Sequence, residues 1–183
     1  DGSVARRVLA DADLELTCLA TPYALHWSDR RTLQDHKKRV QQALDLAGRL
    51  GCRYVSIKAG SVPRFQRRDR VLLRVVEGLR ELAPLAAESR VTLLVENDAN
   101  IAGSRDLWFV TDAASHPSVR CCWNPSRAQA AGDFAGLAVP RIGRNICVTH
   151  LQEAFLASTG AAQDGSPLGQ GQVELARFLI LMH

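Results

Sequence analysis

The chain of 183 residues is 46% apolar and 23% charged, with a formal net charge of +4. That is enough for one domain with a buried core, residues 1–183, and the balance excludes a disordered or fibrous chain. No run nears the roughly 20 apolar residues that span a bilayer, and the first residues lack a signal-peptide pattern, so no membrane partner is expected.

Residues 5–11 read as the end of a helix, and a chain opening there on Asp1 without Met reads as a piece of something longer. A strand is expected at residues 14–20. Ser28 or Asp29 can cap a helix to about Leu50, whose apolar positions Leu33, Val40, Ala43, Leu44 and Ala47 keep helical spacing, and Gly51 supplies the stop. Residues 54–60 form the next strand. A helix from Asp69 to about Ser89 turns Val71, Leu72, Val75, Val76, Leu79 and Leu82 inward, and Pro84 should bend or interrupt it. A strand follows at Val91, then a helix capped by Ser104 and closed by Pro117. After a strand at Val119 comes a poorer helical stretch, residues 127–137, weakened by Gly132 and Gly136. The strand beginning at Ile146 leads into a loop over residues 157–172 and a last amphipathic helix over 173–182.

Arginines gather at Arg64, Arg67, Arg68, Arg70 and Arg74, and basic residues again at Arg30, Arg31, Lys37, Lys38 and Arg39. Neither cluster has interleaved aromatic residues for base stacking, so both read as solvated helix faces and no nucleic-acid partner is expected. The cysteines Cys18, Cys52, Cys121, Cys122 and Cys147 form no Cys-x-x-Cys pair. They lie in or beside predicted strands, as small buried apolar residues of a reducing, cytoplasmic compartment do.

Five strands alternating with helices predict a parallel sheet with right-handed crossovers. An open doubly wound sheet and a (β/α) barrel both satisfy that order. No Gly-x-Gly-x-x-Gly follows the first strand, and Gly169-Gln-Gly171 follows a long loop. Three apolar runs turn polar where they end: Val91-Thr-Leu-Leu-Val-Glu-Asn97 at Glu96, Val119-Arg-Cys-Cys-Trp-Asn-Pro125 at Asn124, and Ile146-Cys-Val-Thr-His-Leu-Gln-Glu153 at His150. Polar residues on several successive strand ends favour the barrel, where chemistry sits at the carboxyl edge.

The chain also resembles the xylose isomerase-like TIM barrels, the sugar phosphate isomerase/epimerase superfamily. The resemblance rests on Leu46-Ala-Gly-Arg-Leu-Gly-Cys-Arg-Tyr-Val55, Leu82-Ala-Pro-Leu-Ala-Ala87 before the Val91 run, Trp123-Asn-Pro125, Thr149-His-Leu-Gln-Glu153 and Gly169-Gln-Gly-Gln-Val173. It implies an incomplete parallel TIM barrel whose five strands correspond to strands three to seven of eight, since a full barrel takes about 250 residues. A barrel with missing staves exposes apolar edges. The natural product is therefore expected to be longer, or the piece to need partners, a second copy of itself among them.

Family members that this chain resembles hold a divalent cation with Glu, Asp, His and Glu on four strand ends. Residue by residue, Glu96 and His150 match, Asn124 stands where the family has Asp, Arg127 replaces a His of the Trp-Asp-Pro-x-His pattern, and the last Glu has no counterpart. The resemblance implies Mn²⁺, Mg²⁺, Co²⁺ or Zn²⁺ as cofactor on Glu96, Asn124 and His150, although Asn keeps one carbonyl oxygen and loses the charge. It implies isomerisation or epimerisation of a sugar or sugar phosphate, Glu96 or the absent Glu taking a proton next to the carbonyl. Lys58, His26 and Arg127 would bind the substrate. Trp27, Trp108 and Trp123 offer either a sugar-stacking surface or packing.

Two other functions fit less well. A non-catalytic relative that binds a small polyol or phosphate would explain Asn124 and Arg127. A DNA-repair endonuclease of the same broad family would need a zinc cluster, and His26, His36, His116, His150 and His183 are scattered.

Overall fold

The computed structural model describes residues 2–156 and 162–183. Helix α1 (Gly2–Asp11) precedes a parallel sheet of β1 (Cys18–Ala24), β2 (Tyr54–Lys58), β3 (Thr92–Glu96), β4 (Val119–Trp123) and β5 (Ile146–Thr149), which lie side by side in chain order. Helices α2 (Arg30–Leu50), α3 (Arg68–Glu88) and α4 (Ser104–Ala114) fill the first three connections, and α5 (Pro125–Ala130) with α6 (Ala135–Ile142) the fourth. An antiparallel hairpin, β6 (Glu153–Leu156) with β7 (Ala162–Ser166), and helix α7 (Leu175–Met182) complete the chain. The strand order never reverses, so the sheet has no crevice at a switch point, unlike a doubly wound sheet. It is an arc of a (β/α) barrel, partial in this chain. Among the described residues no helix is long and apolar enough to cross a membrane.

Alternation along each strand divides the sheet into two faces. Val55, Ile57, Leu93, Val95, Val119, Cys121 and Trp123 point outward into the layer shared with Val40, Leu44, Val71, Val75, Leu79 and Leu107 of the helices. Burying one such Val, Leu or Ile side chain contributes about 1.5–3 kcal/mol. The intervening residues, ending at Lys58, Glu96 and Cys122, line the inner face.

Local chemistry explains the helix limits. The Asp29 carboxylate accepts the Thr32 N–H and starts α2, and Gly51 ends it at φ 74°, where a side chain would be strained. Pro84 does not interrupt α3: Leu79, Leu82, Ala83 and Ala86 are all buried around it, and that packing offsets the lost backbone bond. The expected helix over 127–137 is two helices, broken where Gly132 takes φ 81°. Ser104 is the first residue of α4 rather than its cap; its N–H is bound by the Asp133 carboxylate and its hydroxyl accepts from Arg141 Nη1 at 2.7 Å.

Three strand expectations need correction. β1 begins at Cys18, not at residue 14, because its start is set by pairing with Tyr54, and Leu14 is left 63% exposed. β5 ends at Thr149, and Glu153 opens the hairpin instead. Strand β7 occupies part of the stretch read as a loop, of which residues 157–161 lie outside the described residues. The five cysteines are all unpaired, but only Cys52, Cys121 and Cys122 are buried; Cys18 is half-buried and Cys147 exposed.

Cys147 is exposed for a structural reason. Cys121 pairs with Ile146, yet Cys122 pairs with Val148 and Trp123 with Thr149, so Cys147 is an extra residue in the ladder. Such a bulge shifts every later side chain to the other face. Simple alternation would put His150 on the same side as Ile146, against the helices. The bulge turns it inward, and its N–H donates to the Trp123 carbonyl at 2.8 Å.

Candidate active site

Glu96 ends β3 and is 1% exposed. A carboxylate taken this far from water costs several kcal/mol unless it is paired and hydrogen-bonded. Lys58, its register partner at the end of β2, places Nζ 2.7 Å from Oε2. His150 Nδ1 lies 3.3 Å from Oε1. Both carboxylate oxygens are thus engaged, from strand ends on either side. The Lys58 and His150 side chains are 27% and 38% exposed, so the cluster opens to solvent on the side where a substrate would arrive.

Cys122 is the fourth member. It pairs with Glu96 across β3 and β4, and its Sγ is 3.9 Å from His150 Nδ1 and 3.8 Å from Nε2. Burial pushes its thiol pKa far up, and the negative charge of Glu96 adds to the shift. The donor atoms of Glu96, Cys122 and His150 all lie within 4.8 Å of one another, the one such group of His, Cys, Asp and Glu among the described residues. Sequence reasoning passed over Cys122 as a buried apolar residue. Counting two positions back from Asn124 along a strand places it on the same face, and that signal was available.

Glu96, His150 and Lys58, all read from the sequence, are brought together; the other three candidates have different partners. Asn124 Oδ1 accepts the Arg127 N–H at 3.1 Å and caps α5, while its Nδ2 lies 3.5 Å from Gln152 Oε1. Its backbone is clamped by Asn97, which accepts its N–H at 2.7 Å and donates to its carbonyl at 2.9 Å. The Arg127 guanidinium pairs with Asp98. His26 is buried, with its ring 4.4 Å from that of Trp27 and its carbonyl accepting from Arg74 Nη1 at 2.6 Å. Burial first, then the charges of His36 and Arg74, lower its pKa. Gly60, at φ 84°, makes room for the ring, because a Cβ there would meet His26 Nδ1 at 2.1 Å. Trp123 is buried in the helix layer, and Trp108 is part of a surface groove of about 580 Å³ between α3 and α4.

The donors that converge suit some cations better than others. A hard ion such as Mg²⁺ or Mn²⁺ takes oxygen ligands, and this cluster has a single carboxylate with an ammonium already on it. A thiol, an imidazole and a carboxylate together suit a borderline ion such as Zn²⁺ or Co²⁺ in kind, and three protein ligands suffice for a catalytic zinc.

A family model described as a xylose isomerase-like TIM barrel matches residues 3–183. No curated protein sequence matches the chain. Among solved structures, a xylose isomerase domain protein from Planctomyces limnophilus is similar at 16% identity and a TM-score of 0.81, covering 99% of this chain and 71% of its own. The IOLI protein with a binding zinc atom is similar at 16% identity and a TM-score of 0.85, over 97% of this chain and 68% of its own. A D-tagatose 3-epimerase-like protein is similar at 15% identity and a TM-score of 0.83, over 98% of this chain and 70% of its own. At such identities these likenesses establish the fold alone.

Proposed function

The chain belongs to the xylose isomerase-like TIM barrel family, and on that premise we propose that it isomerises or epimerises a small sugar or sugar phosphate by moving a proton next to the carbonyl. The observation that carries this reading is Glu96, a buried carboxylate on the carboxyl edge of a barrel sheet with a cation and an imidazole on its two oxygens. The epimerases among the structurally similar proteins support the substrate class.

Each residue has a role in that chemistry. Glu96 takes the proton from the carbon beside the carbonyl and returns it to the other face or to the neighbouring carbon. Lys58 pairs with Glu96 until the substrate enters, and its ammonium then donates to a substrate oxygen. His150, the most exposed of the three, donates to a second oxygen. A divalent cation held by Glu96 and His150 supplies, when bound, Lewis-acid stabilisation of the negative charge that develops. Arg127, its charge engaged by Asp98, and His26, beside Trp27, belong to the rim of the mouth and bear on substrate fit. The free cysteines accord with a cytoplasmic setting.

The test is solvent exchange. Incubating the protein with ketopentoses, ketohexoses and their phosphates in D₂O should put deuterium on the carbon next to the carbonyl, read by NMR. Glu96→Gln should slow that exchange about 10²- to 10⁴-fold, the usual effect of losing a general base. Exchange unaffected by the substitution would overturn the reading.

A further inference from the structure

The proposed reaction leaves Cys122 unused, although it touches the two residues that carry it. We infer that Cys122, and not Asn124, is the β4 ligand of a borderline divalent cation such as Zn²⁺ or Co²⁺, completing a Glu96–Cys122–His150 site in which Lys58 holds the place of the ion until it binds. The inference rests on the proposed reading of the mouth and names the cation class that the mouth takes.

Asn124 has one side-chain acceptor atom, and it already accepts the Arg127 N–H at the start of α5. Releasing it would uncap that helix at a cost of about 1 kcal/mol. Cys122 makes no comparable commitment: its sulfur faces the His150 ring at 3.8–3.9 Å and sits opposite Glu96 in the ladder. These three donor atoms already lie within 4.8 Å of one another, so an ion between them needs side-chain adjustment and no movement of the strands.

Glu96 and Lys58 together are neutral, so a divalent ion added to them would bring two uncompensated positive charges into a buried site. When the ion binds Cys122, the sulfur–proton bond breaks, the proton leaves to solvent and a sulfur–metal bond forms. Lys58, 27% exposed, can turn outward with its proton. Glu96 and the thiolate then carry two negative charges against the two of the ion, with His150 neutral. No oxidant or reductant takes part. Hard ions gain little from sulfur, which makes the site selective for Zn²⁺ or Co²⁺ over Mg²⁺.

Cobalt absorption reads this directly. The full chain is titrated with Co²⁺ in a Cys147→Ser background, so that the exposed thiol cannot contribute. A thiolate-to-cobalt charge-transfer band at one equivalent, untouched by excess Mg²⁺ and absent in Cys122→Ser, is the expected result. Lys58→Met should tighten binding on the order of tenfold by removing the competing charge. Visible cobalt bands with no charge-transfer band, or displacement by Mg²⁺, would overturn the inference. So would a Lys58→Met affinity equal to that of the parent. Neither the parent spectrum nor the Lys58→Met comparison depends on whether Cys122→Ser folds. Cobalt silence accompanied by deuterium exchange would sink this site alone, whereas silence in both experiments would sink the proposed reaction as well.

Discussion

Cys121 and Cys122 are chain neighbours in one strand and are both buried, yet they live in different media. Cys121 faces the helices with Val119 and Trp123, and burial is the first cause that pushes its thiol to about 12, against the pull of a hydrogen bond with Thr111. Cys122 faces Lys58, Glu96 and His150, and the carboxylate adds to the effect of burial. The two faces of the same sheet divide the labour. The outer one holds the fold by shape and apolar area, while the inner one keeps charge where a ligand can reach it. Stability and chemistry should therefore respond separately to substitutions one residue apart.

The largest effect should come from the outer face. Leu93→Ala removes a fully buried side chain between sheet and helices and should cost about 2–5 kcal/mol by urea unfolding, with the polar cluster untouched in sequence. Deleting Thr149, one step past the bulge, should leave the pairing up to Val148 in place and turn His150 toward the helices. The expected loss is about 10- to 100-fold in Co²⁺ affinity, comparable to disturbing a supporting shell, and an unchanged affinity would show that another device aims His150. Cys121→Ser should destabilise by about 1–3 kcal/mol, because it puts a more polar hydroxyl in the buried helix layer, beside Thr111 and otherwise packed with apolar side chains. Cys122→Ser should cost less, since polar groups face it; equal costs would erase the distinction between the faces.

The smallest effect concerns pH. Folding lowers the His26 pKa below its ordinary 6.5, so the folded state favours the neutral ring and the unfolded chain binds the proton more readily. The contribution is complete above 6.5 and is lost as pH falls through the lower folded value. Chemical denaturation between pH 7.5 and 5 should show falling stability, and His26→Phe should flatten that decline. A steeper decline in the variant would contradict the assignment.

Much of the fold was legible in the sequence because its signals are local. Asp29 and Gly51 mark the ends of α2, and continuous apolar runs mark β2, β3 and β4. The start of β1 was not, because it depends on where Tyr54 offers a partner. Pro84 misled for the same reason: its local penalty is real, and packing around Leu79 and Ala86 outweighs it. In the site, Glu96 could be read from one strand, since a carboxylate that closes a buried apolar run has to meet a partner there. Asn124 could not, because its role depends on the helix that follows and on Asn97 from the neighbouring strand.

By itself the sequence determined the alternation of strands and helices, the apolar outer layer and a carboxylate at the carboxyl edge of the sheet. Each of these follows from periodicity or from the cost of burying a charge. Only the tertiary structure decided that the strands run in unbroken order, that Lys58 answers Glu96, and that one extra residue in β5 swings His150 into the mouth beside Cys122. Register between strands is a property of the pair, and no single strand carries the information to set it.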